Sequence, residues 1–222
     1  MPMFQSSLRG CAVAAAVGLA GLLTLTLLTG ANQQAFEIVR APADYAAGLL
    51  HTAMSMRWVI ALDDVFIACY VSVTILLVRE LPGAELALMR TLIVVFGVAA
   101  GVLDYAENHH ILAMLRAADA GQALPLPELI LREDLSSLKW MLGHLAFFLV
   151  GLCLPTHNLG LRLFRFALLY VQLPVGALTL TMNDPQWAVV LHWTRLLNVL
   201  AGFVLTALLF PLPRAALKDA PA

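Results

Sequence analysis

Apolar residues fall into six long runs, separated by short polar turns and by two longer polar connections at 31–57 and 116–137. A helix needs roughly 20 apolar residues to cross about 30 Å of hydrocarbon. The runs at 10–30, 58–78, 86–112, 138–154, 161–181 and 185–211 fit that need. They predict an all-α integral membrane bundle of six transmembrane helices, built as one domain over residues 1–222. The first run follows Arg9, as a signal peptide would. Its apolar stretch exceeds the about 7–15 residues of such a segment and no A-x-A-like site follows, so a retained helix is expected. The sixth is expected to open at Asn183-Asp184-Pro185, with Asp184 capping free amides and Pro185 at the first helical position. Pro174 predicts a kink in the fifth. In the connections, 44–56 is expected to form a helix on the membrane surface. Leu124-Pro125-Leu126-Pro127 is expected to be extended or turn-like, because proline restricts the residue before it.

Composition leads to the same place. The chain is 61% hydrophobic and only 12% charged, against about 45–50% and about 25% for soluble domains. The net charge of −1 supplies no basic field, so nucleic acid is excluded as a partner. Cys11, Cys69 and Cys153 all lie in apolar runs, where cysteine acts as a small hydrophobe.

Lys and Arg positions predict orientation. With the N-terminus inside, the inner side carries Arg9, Arg79, Arg90, Arg162, Arg165, Arg214 and Lys218, and the outer side Arg40, Arg57, Arg116, Arg132 and Lys139. That excess favours N-in and C-in, in a cell inner or plasma membrane. Trp58, Trp140 and Trp187 then form an outer aromatic belt.

Drawn on that topology, the polar residues within the spans gather at the outer end. Asp63 and Asp64 lie in span two, Asp104, Glu107, Asn108, His109 and His110 in span three, Lys139 and His144 in span four, and His192, Arg195 and Asn198 in span six. Ionisable groups at such depth cost about 2.5–3.5 kcal/mol each on insertion scales, so they face a bundle interior or an aqueous cavity. Helical phase agrees. Asp104, Glu107 and Asn108 share a face, His110 lies one turn from Glu107, and His109 points elsewhere. Asp63, Tyr70 and Thr74 form one stripe, and His192 neighbours Arg195. Small residues mark close-packing faces: Gly97 and Gly101 in span three, and Gly10, Ala14 and Gly18 in span one.

The chemistry expected of this layer follows from its residue types. Asp104, Glu107, His144 and His192 are the acid–base candidates, and Asp63, Tyr70, Asn108, Arg195 and Asn198 the groups lining a substrate pocket. Glu107, His110, His144 and His192 are the set a divalent metal such as zinc would take, and two of the three histidines could instead hold haem. Asp104 and Arg195 are expected to pair across the bundle, since an arginine at that depth keeps its charge. No H-E-x-x-H, G-x-S-x-G, P-loop or G-x-G-x-x-G occurs. Three classes of function fit: a protein binding or acting on a lipid or small amphiphile, with or without a metal; a proton-linked carrier; and a non-catalytic subunit meeting a partner helix or a second copy.

Overall fold

The computed structural model describes residues 2–82, 86–182 and 185–210. Helix α1 spans Pro2–Thr29, and a single 3-10 turn, Gln33–Phe36, follows it. Next come α2 (Pro42–His51), α3 (Ala53–Glu80), α4 (Ala87–Asp119) and α5 (Leu126–Cys153). The fifth crossing is bent and has three parts, α6 (Leu159–Phe166), a π-helical stretch at Ala167–Gln172, and α7 (Leu173–Thr181). Helix α8 spans Pro185–Leu209. Six crossings are long and apolar enough to span a membrane, and no strand occurs among the described residues, so the chain is an all-helical, multi-pass integral membrane bundle.

The crossings form a closed ring. Helix α1 packs on α3, α3 on α4, α4 on α5, α5 on the bent crossing, that crossing on α8, and α8 back on α1. Neighbours in sequence are neighbours in space, as short connections require. On α1 the inward stripe is Leu8, Ala12, Ala15, Leu19 and Leu22, spaced by three and four residues, while Val13, Val17, Leu27 and Leu28 point outward to where lipid lies. Gly97 and Gly101 do open a close-packing face: a Cβ on Gly97 would lie 2.6 Å from Thr74 Cγ2, and one on Gly101 would overlap Val71 of α3. The small-residue row on α1 is corrected. Only Gly18 meets a neighbour, Phe66, whereas Gly10 and Ala14 are exposed and the inward stripe runs through Ala12 and Ala15 instead.

Several boundaries differ from expectation for identifiable reasons. Helix α5 starts at Leu126, about three turns before 138. Pro125 is extended as expected, but Pro127 falls in the first turn, where a missing N–H costs nothing. Helix α4 runs on to Asp119 and stops at Gly121, whose φ of 69° accepts the left-handed turn that returns Gln122 N–H to Ala117 O at 2.9 Å. At 1.5 Å per residue α4 is about 50 Å long, so α4 and α5 project together beyond a 30 Å hydrocarbon core. The kink expected at Pro174 is a π-helical turn just before it. Proline lacks the N–H that would bond back to Tyr170, and the widened turn absorbs the loss. The single surface helix expected over 44–56 is corrected: α2 covers Pro42–His51 with Tyr45 and Leu49 buried against the bundle, and 53–56 already belong to α3. Asp184, Arg214 and Lys218 lie outside the described residues.

Candidate functional site

Most of the buried polar side chains converge on the end of the ring that carries residues 30–52 and 120–125. The connection after α1 builds its roof. Asn32 caps the 3-10 turn by accepting from Gln34 N–H at 3.1 Å, and that turn drops Gln33 and Glu37 into the ring. Gln33 Nε2 donates to Asp63 Oδ2 at 3.4 Å and to Asn108 Oδ1. Asn108 Nδ2 in turn donates to Asp63 Oδ2 at 2.9 Å and to Asp64 Oδ1 at 2.8 Å. The loop is thereby tied to α3 and α4 through one amide pair.

Lys139 is the hub beneath this roof. Its ammonium lies 3.1 Å from Glu37 Oε1, 3.0 Å from Asp104 Oδ1 and 2.7 Å from Glu107 Oε2. Asp104 uses its other oxygen to accept from Tyr70 OH at 3.1 Å. Glu107 uses its other oxygen to accept from Arg132 Nη2 at 2.9 Å, an ion pair in which each side chain is only 1% exposed. Arg132 Nε also donates to Phe36 O at 2.8 Å and to Tyr45 OH at 3.0 Å. Burial pushes the Tyr45 phenol up, so it stays neutral and donates to Phe36 O at 3.0 Å. Burial also works against the charge on Glu37, but Lys139 and then Arg195 outweigh it and hold that carboxyl down at about 2.

Trp140 joins this hub to α8. Its indole N–H donates to both Glu37 oxygens, at 3.1 and 3.0 Å, and its ring carries the Arg195 guanidinium 3.4 Å from the centroid. Arg195 Nη2 donates to His192 Nδ1 at 3.2 Å, which leaves the histidine proton on Nε2. Trp140 also stacks on His144, at 5.9 Å between centroids. His144 Nδ1 meets Gln172 Nε2 at 3.4 Å, and Gln172 Oε1 accepts from Asn198 at 2.6 Å. Beside Trp140 a cleft of about 340 Å³ opens at this end of the ring, between the roof, α5, the end of α7 and the start of α8. Glu37, Ser136, Trp140, His192, Trp193 and Arg195 line its depth, and Leu180, Met182 and Val189 its rim.

Of the nine residues expected as acid–base or pocket groups, Tyr70, Asp104 and Glu107 form one network with Lys139, and Asp63 and Asn108 form a second beside it with Gln33. Arg195 and His192 reach the Lys139 network through Trp140, while Asn198 and His144 sit a turn deeper with Gln172. Three expectations are corrected. The metal set does not assemble, and no cluster of three or more metal-binding side chains exists among the described residues. Both Glu107 oxygens are held by cations, His110 turns to Glu128 at 3.1 Å on the rim, His144 is pressed onto Gly176, and His192 is engaged by Arg195. Asp104 and Arg195 do not pair: Lys139 takes Asp104, and no carboxylate lies within 4 Å of Arg195 among the described residues. Trp140 leaves the aromatic belt and serves the site, whereas Trp58 and Trp187 are exposed as expected.

Gln33, Glu37, Arg132, Ser136 and Gln172 are the members that sequence reasoning missed. Arg132, Ser136 and Lys139 recur at i, i+4 and i+7, which puts them on one face of α5 once the helix is started at Leu126. No protein-family model, curated protein or solved structure matches this chain.

Proposed function

We propose that the chain binds a small amphiphile or lipid in the cleft beside Trp140, with the polar end of the ligand inside and its apolar part leaning toward the bilayer. The two-sided lining of the cleft carries this reading. Its lining combines the polar Glu37, Glu133, Ser136, His192 and Arg195 with the exposed apolar side chains of Leu180, Met182 and Val189, at the end of α7 and the start of α8. A cleft polar below and apolar at the lipid-facing rim matches the two halves of an amphiphile and would suit a wholly soluble ligand poorly. The excess of Lys and Arg assigned to the opposite end of the ring supports an opening toward the outer leaflet.

Brominated phospholipids in proteoliposomes test the proposal, because bromine quenches indole fluorescence only at contact. Trp193 lines the cleft and should be quenched, and Trp193→Phe should remove that component while leaving the quenching of exposed Trp58 and Trp187. Equal quenching in wild type and Trp193→Phe would remove the support for a lipid-accessible cleft. Proton uptake coupled to ligand movement in sealed liposomes would turn the reading into the carrier class.

A further inference from the structure

The polar end of that ligand can be specified further. Two buried side chains of the cleft each keep a polar atom without a partner. Arg195 is 2% exposed, its Nε has no hydrogen-bond partner, and no carboxylate among the described residues stands within 4 Å of it. Ser136 is likewise 2% exposed and its Oγ has no partner. Buried polar groups are nearly always hydrogen-bonded, and a buried charge needs a counter-charge or several donors and acceptors. Glu37 is the nearest candidate to answer Arg195, because its charge responds to that guanidinium. Both Glu37 oxygens are already taken, however, one by Lys139 and Trp140 and the other by Trp140. Trp140 supplies a π face to Arg195, which compensates part of a charge and leaves the in-plane Nε–H without an acceptor. His192 adds an Nε2–H, since its Nδ1 accepts from Arg195.

On the reading that the cleft binds an amphiphile, we infer that the head of the ligand is an oxyanion, a phosphate or its equivalent, received by Arg195 with Ser136 and His192 as neutral donors beside it. A planar guanidinium fits such a group with two parallel hydrogen bonds. The cation of Lys139 does not compete, because three carboxylates surround it.

The test compares heads on one chain: dodecyl phosphate, dodecyl maltoside and dodecyltrimethylammonium, with inorganic phosphate as a separate arm, titrated onto detergent-purified protein and read by Trp fluorescence and by thermal protection. Dodecyl phosphate should bind best, weaken as salt is raised, and lose about tenfold or more in affinity in Arg195→Gln, the loss expected for a charge-assisted hydrogen bond. Ser136→Ala should weaken it several-fold with the fold intact, so the inference stays testable if Arg195→Gln does not fold. Protection by inorganic phosphate alone, sensitive to the same variants, would support the oxyanion and assign it to a free anion. Equal binding of the maltoside and the phosphate would overturn the oxyanion head and leave amphiphile binding standing. Preference for the ammonium head, or phosphate binding that ignores both variants, would also overturn it. Binding of none of the dodecyl probes would overturn the amphiphile reading itself.

Discussion

Replacing Lys139 by methionine removes the one cation that three buried carboxylates share. Its contacts with Glu37, Asp104 and Glu107 span 2.7 to 3.1 Å. At an effective dielectric of about 20, each such contact is a gross attraction on the order of 5 kcal/mol. Most of that is offset by the cost of taking four charged groups out of water. What the variant feels is the stranding of the carboxylates, and removing one member of a buried pair costs about 3–5 kcal/mol. Glu107 keeps Arg132 and Asp104 keeps Tyr70, so the loss should fall within that range rather than above it. For a chain of this size, about 2–4 °C of melting temperature per kcal/mol corresponds to a drop of about 6–20 °C in detergent. Lys139→Met combined with Asp104→Asn should then be more stable than the two single losses added together, because the second change removes a charge that the first left alone. A melting temperature within about 2 °C of wild type, or strict additivity in the cycle, would refute the hub.

Glu37 carries a pH signature. Its carboxyl is depressed from 4.5 to about 2 in the fold, so its contribution is complete above 4.5 and is lost as pH falls toward 2. That shift corresponds to about 3 kcal/mol, and Glu37→Gln should be destabilised at pH 7 and should lose this acid transition in a pH-dependent melt. Gly101→Leu should overpack the contact with Val71 at a cost of about 1–3 kcal/mol, seen as a lower melting temperature, since that face meets α3 and not lipid. Gly176→Ala would place a Cβ on the His144 ring, so it should destabilise by a similar amount and shift the fluorescence of Trp140, on which His144 stacks. A cysteine at Gly121 should be labelled by an impermeant reagent in intact cells if the cleft opens outward, and protection there would reverse the orientation.

The bundle was readable because lipid imposes a coarse rule. Length and hydropathy alone place the six crossings, and no tertiary knowledge is needed to see them. Boundaries were less readable where helices leave the membrane. Residues 126–137 are polar enough to read as a connection, yet they form the first three turns of α5 because α4 projects alongside and buries Leu129, Arg132 and Ser136. Helical phase was enough to align Asp104, Glu107 and Asn108, since their shared face depends only on spacing within α4.

Partner choice is a different kind of information. The pairing of Asp104 with Arg195 fits depth and charge, but two cations stand at that level of the ring, and the ring order decides between them. Helix α4 packs directly on α5 and not on α8, so Lys139 reaches Asp104 and leaves Arg195 to the ring of Trp140. Glu37 and Gln33 were still harder to find, because they lie in a loop whose only periodicity is a single 3-10 turn. Their place depends on Asn32 closing that turn and on Lys139 and Asn108 waiting beneath it. The consequence for function is direct. A carboxylate delivered by a loop fills the coordination of Lys139 and Trp140, and so leaves Arg195, with no carboxylate within 4 Å among the described residues, at the wall of the cleft.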